Sequence, residues 1–287
     1  MTTTPDPRIR ERLGAAQAYL ETIAADRPVE AALGRVLTGA GDAGAVLDAL
    51  GRYQNADGGI GNGLEPDLAA SQSNPFAIRL ALEAVYSSGA PTDAPLVRGI
   101  VAFLEETQDD DGCWRWLPGT MDHPSSPWFR EWPFPSLNPA MDLSGWLSRL
   151  GLGSERLHAR CRTLYGEIAR RDEITDGTFY TVLPYAESVP WLPDLPGRED
   201  HLAALIDKVT RDLAADAYPA PQQAIELIGP PDGPVARHLP AGYGQRLVEQ
   251  TLADQKPDGS WDTPYDEHWR PYQTVTGMTI LVEYAGH

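Results

Sequence analysis

Gln255-Lys256-Pro257-Asp258-Gly259-Ser260-Trp261 closes one amphipathic stretch and leads into another. The same phrase occurs earlier as Gln108-Asp109-Asp110-Asp111-Gly112-Cys113-Trp114 and, with isoleucine in the last place, as Gln54-Asn55-Ala56-Asp57-Gly58-Gly59-Ile60. A phrase that recurs in one local setting marks a supersecondary unit used repeatedly, so it speaks to architecture before activity. The copies stand 54 and then 147 residues apart. The second step is close to three of the first, which predicts degenerate copies between them. Glu173-Ile174-Thr175-Asp176-Gly177-Thr178-Phe179 reads as one, and Pro231-Asp232-Gly233 as a fainter one or an ordinary turn.

Around these phrases, apolar residues recur at steps of three and four, and strand-like alternation is scarce. The spacing predicts helices over 7–24, 29–38, 43–54, 75–88, 93–107, 139–150, 155–171, 177–189, 199–215, 219–228, 241–254 and 271–285. They pair into six hairpins, with the clear phrases ending the second, third and sixth outer helices and the inner helices starting at 29, 75, 139, 177, 219 and 271. Asn74-Pro75 and Asn138-Pro139 each read as an N-cap amide before a proline in the first helical position. No boundary for a second domain is apparent, so the reading is one all-α domain over 1–287.

The repeated phrase resembles the Q-W repeat of terpenoid cyclases and protein prenyltransferase β subunits, whose shared fold is an α/α toroid. That resemblance implies an (α/α)6 barrel in which Gln54, Gln108, Gln255, Trp114 and Trp261 tie helices together. It also implies an apolar, isoprenoid-like substrate in a central cavity, with aromatic faces stabilising a carbocation. The family's Asp-x-Asp-Asp acid motif and aspartate-rich magnesium motif are absent. Prenyltransferase β subunits bind zinc through Asp-x-Cys and a distant histidine. Asp111-Gly112-Cys113 matches the first part, but glutamine stands at Gln273 in Tyr272-Gln273-Thr274, so no metal and no cofactor are expected.

Composition narrows the field. A net charge of −18 repels nucleic-acid backbones and anionic membrane surfaces. The basic run from Arg156 to Arg171 reads as a solvated outer helix face. Cys113 and Cys161, outside any Cys-x-x-Cys pair, read as free thiols in a reducing compartment. Met1 to Arg12 is polar and no apolar run approaches a membrane span, so the expectation is a soluble, cytoplasmic protein.

Candidate chemistry lies in the loops from outer to inner helices, which a toroid would gather at one mouth. Glu65 and Asp67, stiffened by Pro66, are the leading acids, since neighbouring carboxyls tend to share a proton. Asp142, one turn into an inner helix, is a further acid or a dipole-complementing aspartate; Glu187 and Glu226 raise the same question. Trp128, Trp132, Phe134, Trp146, Tyr185, His268, Trp269 and Tyr272 are the candidate substrate contacts, with core packing as the alternative for each. The 115–137 stretch holds too many aromatics for a flexible linker and reads as an ordered loop.

Three functional readings follow. The first is acid-initiated cyclisation or isomerisation of a small hydrophobic substrate. The second is a carbohydrate-active (α/α)6 barrel with paired carboxylates. The third is a non-catalytic toroid that binds a partner, either a second copy or a helical subunit.

Overall fold

In a computed structural model describing residues 6–286, the chain is all-α. The first five residues of the polar N-terminal stretch lie outside the described residues. Among the described residues, fourteen α-helices follow one another. They are α1 (Pro7–Thr22), α2 (Pro28–Leu37), α3 (Ala43–Leu50), α4 (Pro75–Ser88), α5 (Pro95–Thr107), α6 (Pro127–Arg130) and α7 (Leu137–Leu150). The second half holds α8 (Glu155–Ile168), α9 (Arg171–Thr175), α10 (Phe179–Ser188), α11 (Arg198–Ala214), α12 (Pro221–Ile228), α13 (Tyr243–Asp254) and α14 (Arg270–Glu283). Among the described residues, strand pairing is limited to isolated bridges at Gln54–Ile60 and Leu68–Ser125. No described helix is long and apolar enough to cross a membrane.

Each of the twelve expected helices is present, within a few residues of its expected ends. The Asn74 cap forms: its Oδ1 accepts Ala77 N–H at 2.9 Å and Pro75 begins the helix. The cap expected at Asn138 does not. Here the helical turn starts after Ser136, Asn138 is extended within it (φ −89°, ψ 125°), and its buried Oδ1 has no partner. The Asn138 carbonyl instead accepts from Trp132 Nε1 at 3.1 Å and from Ser136 Oγ.

The helices fall into two compact units. One comprises Leu47–Leu205 and the other Met1–Val46 with Ile206–His287. In the first, α7 packs between α4 and α10. The residues of α7 from Leu137 to Leu147 are buried apart from the extended Asn138, and α4 and α10 are buried on most sides, as helices of an inner layer must be. By contrast α5 buries only the stripe Val97, Ile100, Phe103 and Leu104, and α8 only Leu157, Cys161, Leu164 and Tyr165. Those stripes are the one-sided pattern of helices with an outer, wet face. The basic residues of α8 lie there: Arg156 pairs with Glu105 and Arg160 with Asp110. In the second unit α14 takes the central place, touching α1, α2, α12 and α13.

The repeated phrase is a clasp built the same way three times. The glutamine Nε2 reaches the carbonyl of the glycine four residues on: Gln54 to Gly58 at 2.8 Å, Gln108 to Gly112 at 3.3 Å, Gln255 to Gly259 at 2.8 Å. The same amide also grips a main-chain carbonyl of another helix: Leu96 at 2.9 Å, Leu157 at 3.2 Å and Arg12 at 2.9 Å. The aspartate closes the turn by accepting the N–H two residues on. Glycine is needed for two reasons. Its φ is 86°, 85° and 92° in the three copies, and a Cβ there would meet the gripped helix's backbone at 2.6, 2.4 and 2.2 Å. Trp114 and Trp261 lie buried with Nε1 donating to Leu104 O and Thr251 O at 2.9 and 2.8 Å.

The expected fourth copy does not form a clasp. Gly177 lacks the left-handed φ, and Glu173 accepts the Tyr185 hydroxyl instead of reaching along its own turn. Pro231-Asp232-Gly233 is a plain turn, closed by Gly233 N–H to Pro230 O at 2.8 Å.

Candidate functional site

Asp142 is the sequence-selected acid whose surroundings are most unusual. It is 2% exposed, on the face of α7 that also carries Gly145, Trp146 and Arg149 at helical spacing. Gly145 lets α10 approach closely, since a Cβ there would lie 2.0 Å from Glu187 O. That closeness brings Glu187 to Asp142. Arg79 of α4 pairs with Glu187 through Nη2 and with Glu83 at 3.1 Å through Nη1. Arg149 donates to Glu187 O at 3.3 Å and lies 4.1 Å from the ring centroid of Trp146 and 4.5 Å from that of Trp191.

Burial, and then the neighbouring Glu187 carboxyl, push the Asp142 carboxyl well above the usual range, against the pull of Arg79 and Arg149. Burial, with the Arg79 charge adding to it, drives the Arg149 guanidinium down, and Glu187 acts against it. Several buried polar atoms of the cluster lack hydrogen-bond partners: Asp142 Oδ1, Glu187 Oε2, Trp146 Nε1 and Arg149 Nε. Buried groups are normally satisfied, so donors and acceptors left open together set this cluster apart from ordinary core. Exposure rises from 3% at the Glu187 side chain to 11% at Arg79 and 23% at Glu83.

Glu65 and Asp67 belong to a second feature. Glu65 is buried and its Oε1 accepts Asp67 N–H at 3.1 Å. Asp67 Oδ1 accepts the Ser126 hydroxyl and its carbonyl accepts Ser126 N–H, both at 2.8 Å. With Ala69 N–H on Pro124 O, these bonds latch the 61–71 loop to the aromatic 115–137 loop. The latched loop packs Trp116, Phe129 and Trp132 on Phe76 at the start of α4, with Phe134 edge-on to Trp116. Trp132 Nε1 is bonded within that loop, whereas Trp128 is 51% exposed.

The remaining aromatic candidates each have local contacts. The Trp146 ring is used by Arg149 and by Tyr86, which meets it edge-on. Tyr185 is buried, its hydroxyl accepting Arg170 N–H at 2.8 Å and donating to Glu173. Tyr165, whose ring lies edge-on to Tyr185, shares a hydrogen bond with His201 Nδ1. In the other unit Trp269 packs edge-on to Tyr272 and Tyr265, and the His268 carbonyl accepts from Arg27. Glu226 and Gln273 lie on α12 and α14 of that unit. The Asp-x-Cys pair is spent on its clasp: Asp111 caps Cys113 N–H and pairs with Arg115, while burial raises the Cys113 thiol.

Arg79, Glu83 and Arg149 escaped the sequence reading. A signal existed: α4 is apolar apart from Arg79 and Glu83, spaced four apart, the spacing of a pair on one face.

The chain is similar to a crystal structure of a protein from Actinoplanes, with a TM-score of 0.51 and 18% identity over 96% of this chain and 89% of that one. At that identity the likeness speaks to the fold alone. No family model matches the chain, and no curated protein matches it.

Proposed function

We propose that the helices form an (α/α)6 toroid of the terpenoid-cyclase type and that the chain is an enzyme using Asp142 as a general acid. The alternation of one-faced and fully buried helices supports the architecture. The observation that carries the chemistry is the Asp142 carboxyl, sealed beside Glu187 with one oxygen unpartnered.

A raised pKa favours the protonated carboxyl but also makes the acid weaker. Such an acid suits an oxygen, as in an epoxide or allylic alcohol, better than a bare alkene. Asp142 would transfer its proton to the substrate oxygen as the C–O bond breaks. An alkene of the same molecule would close onto the cationic carbon, and loss of a proton back to the carboxylate would restore the acid. For an epoxide the product is then an isomer of the substrate. The transient Asp142 carboxylate would be countered by Arg79 and Arg149, which already oppose its proton. Glu65 and Asp67 serve in this reading as the latch that orders the aromatic loop.

Incubation with farnesol and its terminal epoxide, followed by gas chromatography and mass spectrometry, tests the proposal. An isomer of the epoxide is expected from the natural chain and none from Asp142→Asn of equal helical content. Absence of an isomer from the natural chain rejects the activity. Its persistence in Asp142→Asn removes Asp142 from the acid role.

A further inference from the structure

A cavity of about 340 Å³ lies within the unit that contains residues 206–287. This size is at the small end of ligand pockets, which run from roughly 300 to 1,000 Å³. Its walls come from the last turns of α11 (Thr210, Leu213, Ala214), the first turn of α12 (Ala220, Pro221, Ala224) and the first turns of α13 (Tyr243, Arg246, Leu247, Gln250). Tyr218 and Pro240 complete it.

The lining includes one anion, Asp216, and one cation, Arg246. The end of α11 contributes its negative dipole, and Asp216 lies two residues beyond it. Asp216 has φ 52°, a left-handed conformation that aspartate tolerates and most residues do not. Further lining comes from the starts of α12 and α13, where the helix dipoles are positive although Gln223 N–H and Tyr243 N–H are already bonded to Ala220 O and Pro240 O. Arg246 lines the cavity from α13, 5.7 Å from the ring centroid of Tyr243. Two tyrosines, Leu213, Leu247 and the prolines supply the rest. Tyr218 is held by a bond to Asp212 at 3.4 Å, and Asp212 is itself paired with Lys208 at 2.7 Å.

We infer that this cavity binds a small zwitterion with an aromatic or bulky apolar body, in the chemical class of a free aromatic amino acid. Its carboxylate would meet Arg246, supported by the positive dipole ends of α12 and α13. Its ammonium would meet Asp216 and the end of α11, and its body would lie against Tyr218 and Tyr243. A purely anionic amphiphile leaves Asp216 opposed, and a purely cationic one leaves Arg246 opposed. The zwitterion satisfies both. This site is independent of Asp142 and of the activity proposed for it.

Titration calorimetry of the full chain with L-phenylalanine, 3-phenylpropionate and phenethylamine separates the alternatives. The amino acid is expected to bind at least about tenfold more tightly than either single-charge analogue, a margin of ~1.4 kcal/mol. Arg246→Gln should weaken L-phenylalanine and 3-phenylpropionate while sparing phenethylamine. Asp216→Asn, which keeps a residue suited to the left-handed φ, should weaken L-phenylalanine and phenethylamine while sparing 3-phenylpropionate. Both positions are exposed, and unchanged melting temperatures would verify folding. Failure of L-phenylalanine to bind at ~10 mM overturns the inference. So does equal binding of all three compounds, or indifference of binding to both substitutions.

Discussion

Gln255 holds Arg12. A single amide, Nε2 of Gln255, bonds the carbonyl of Gly259 in its own turn and the carbonyl of Arg12 on α1, 243 residues upstream. The last copy of the repeated phrase therefore fastens the end of α13 to α1. Gln255→Ala should cost ~1–3 kcal/mol, because two buried carbonyls lose their donor. Hydrogen exchange should accelerate in α1 and α13 before it does in α7, and uniform protection would contradict this role.

The two clasp tryptophans combine bulk with one hydrogen bond. Trp261→Phe keeps most of the packing and loses the bond to Thr251 O, so a cost of ~1 kcal/mol is expected. Trp261→Ala should cost ~3–5 kcal/mol through the cavity it leaves. Chemical denaturation of both variants checks the ratio, and equal losses would mean that packing contributes little.

Gly145 sets the distance between α7 and α10. Adding a methyl group places it 2.0 Å from Glu187 O, a backbone atom that cannot swing aside. Gly145→Ala should lose ~1–3 kcal/mol by overpacking and shift the spectra of Trp146 and Trp191. A variant as stable as the parent would show that the helices part without cost.

Asp142 gives the stability a pH dependence of definite sign. Its carboxyl titrates well above the ordinary 3.8 in the folded chain, so across that window the fold retains a proton that the unfolded chain has released. Stability must then fall as pH rises through the window, by at most about 1.4 kcal/mol per pH unit for one proton. Burial raises Glu30 as well, and it contributes with the same sign. Urea unfolding at a series of pH values should show the decline in the natural chain and a shallower one in Asp142→Asn. Parallel curves would refute the buried-acid description.

The latch between loops is separable from the acid. Ser126→Ala removes the hydroxyl bond to Asp67 but leaves the Ser126 N–H to Asp67 O bond. Loss of ~1 kcal/mol and faster proteolysis within 115–137 are expected, with the slope in pH unchanged. Proteolysis at the parental rate would mean that the aromatic packing alone orders the loop.

The helices were legible in the sequence because their signals are local. Asn74-Pro75 fixed the start of α4 to the residue, and Gly89, with φ 64°, stops it. Asn138-Pro139 offers the same dipeptide, yet Ser136 and Trp132 take the Asn138 carbonyl and the helix begins earlier, an outcome set by tertiary partners. The short α6 and α9 carry too few residues for a periodic pattern. Asp142 was visible as a charge between apolar neighbours. Its partners were not, because a lone arginine in a helix reads as solvated until a glycine 66 residues further on brings two more helices against it. The cavity near Tyr243 is assembled from helix ends that share no motif, and no local pattern announces it.

The clasps do not depend on the outward side chains of the gripped helix, because each takes hold of a peptide carbonyl at Leu96, Leu157 or Arg12. The outward faces of those helices are thereby released from any duty to the frame. Mutation can rewrite the outside of such a protein almost freely while a handful of glutamines and glycines keep its skeleton unchanged.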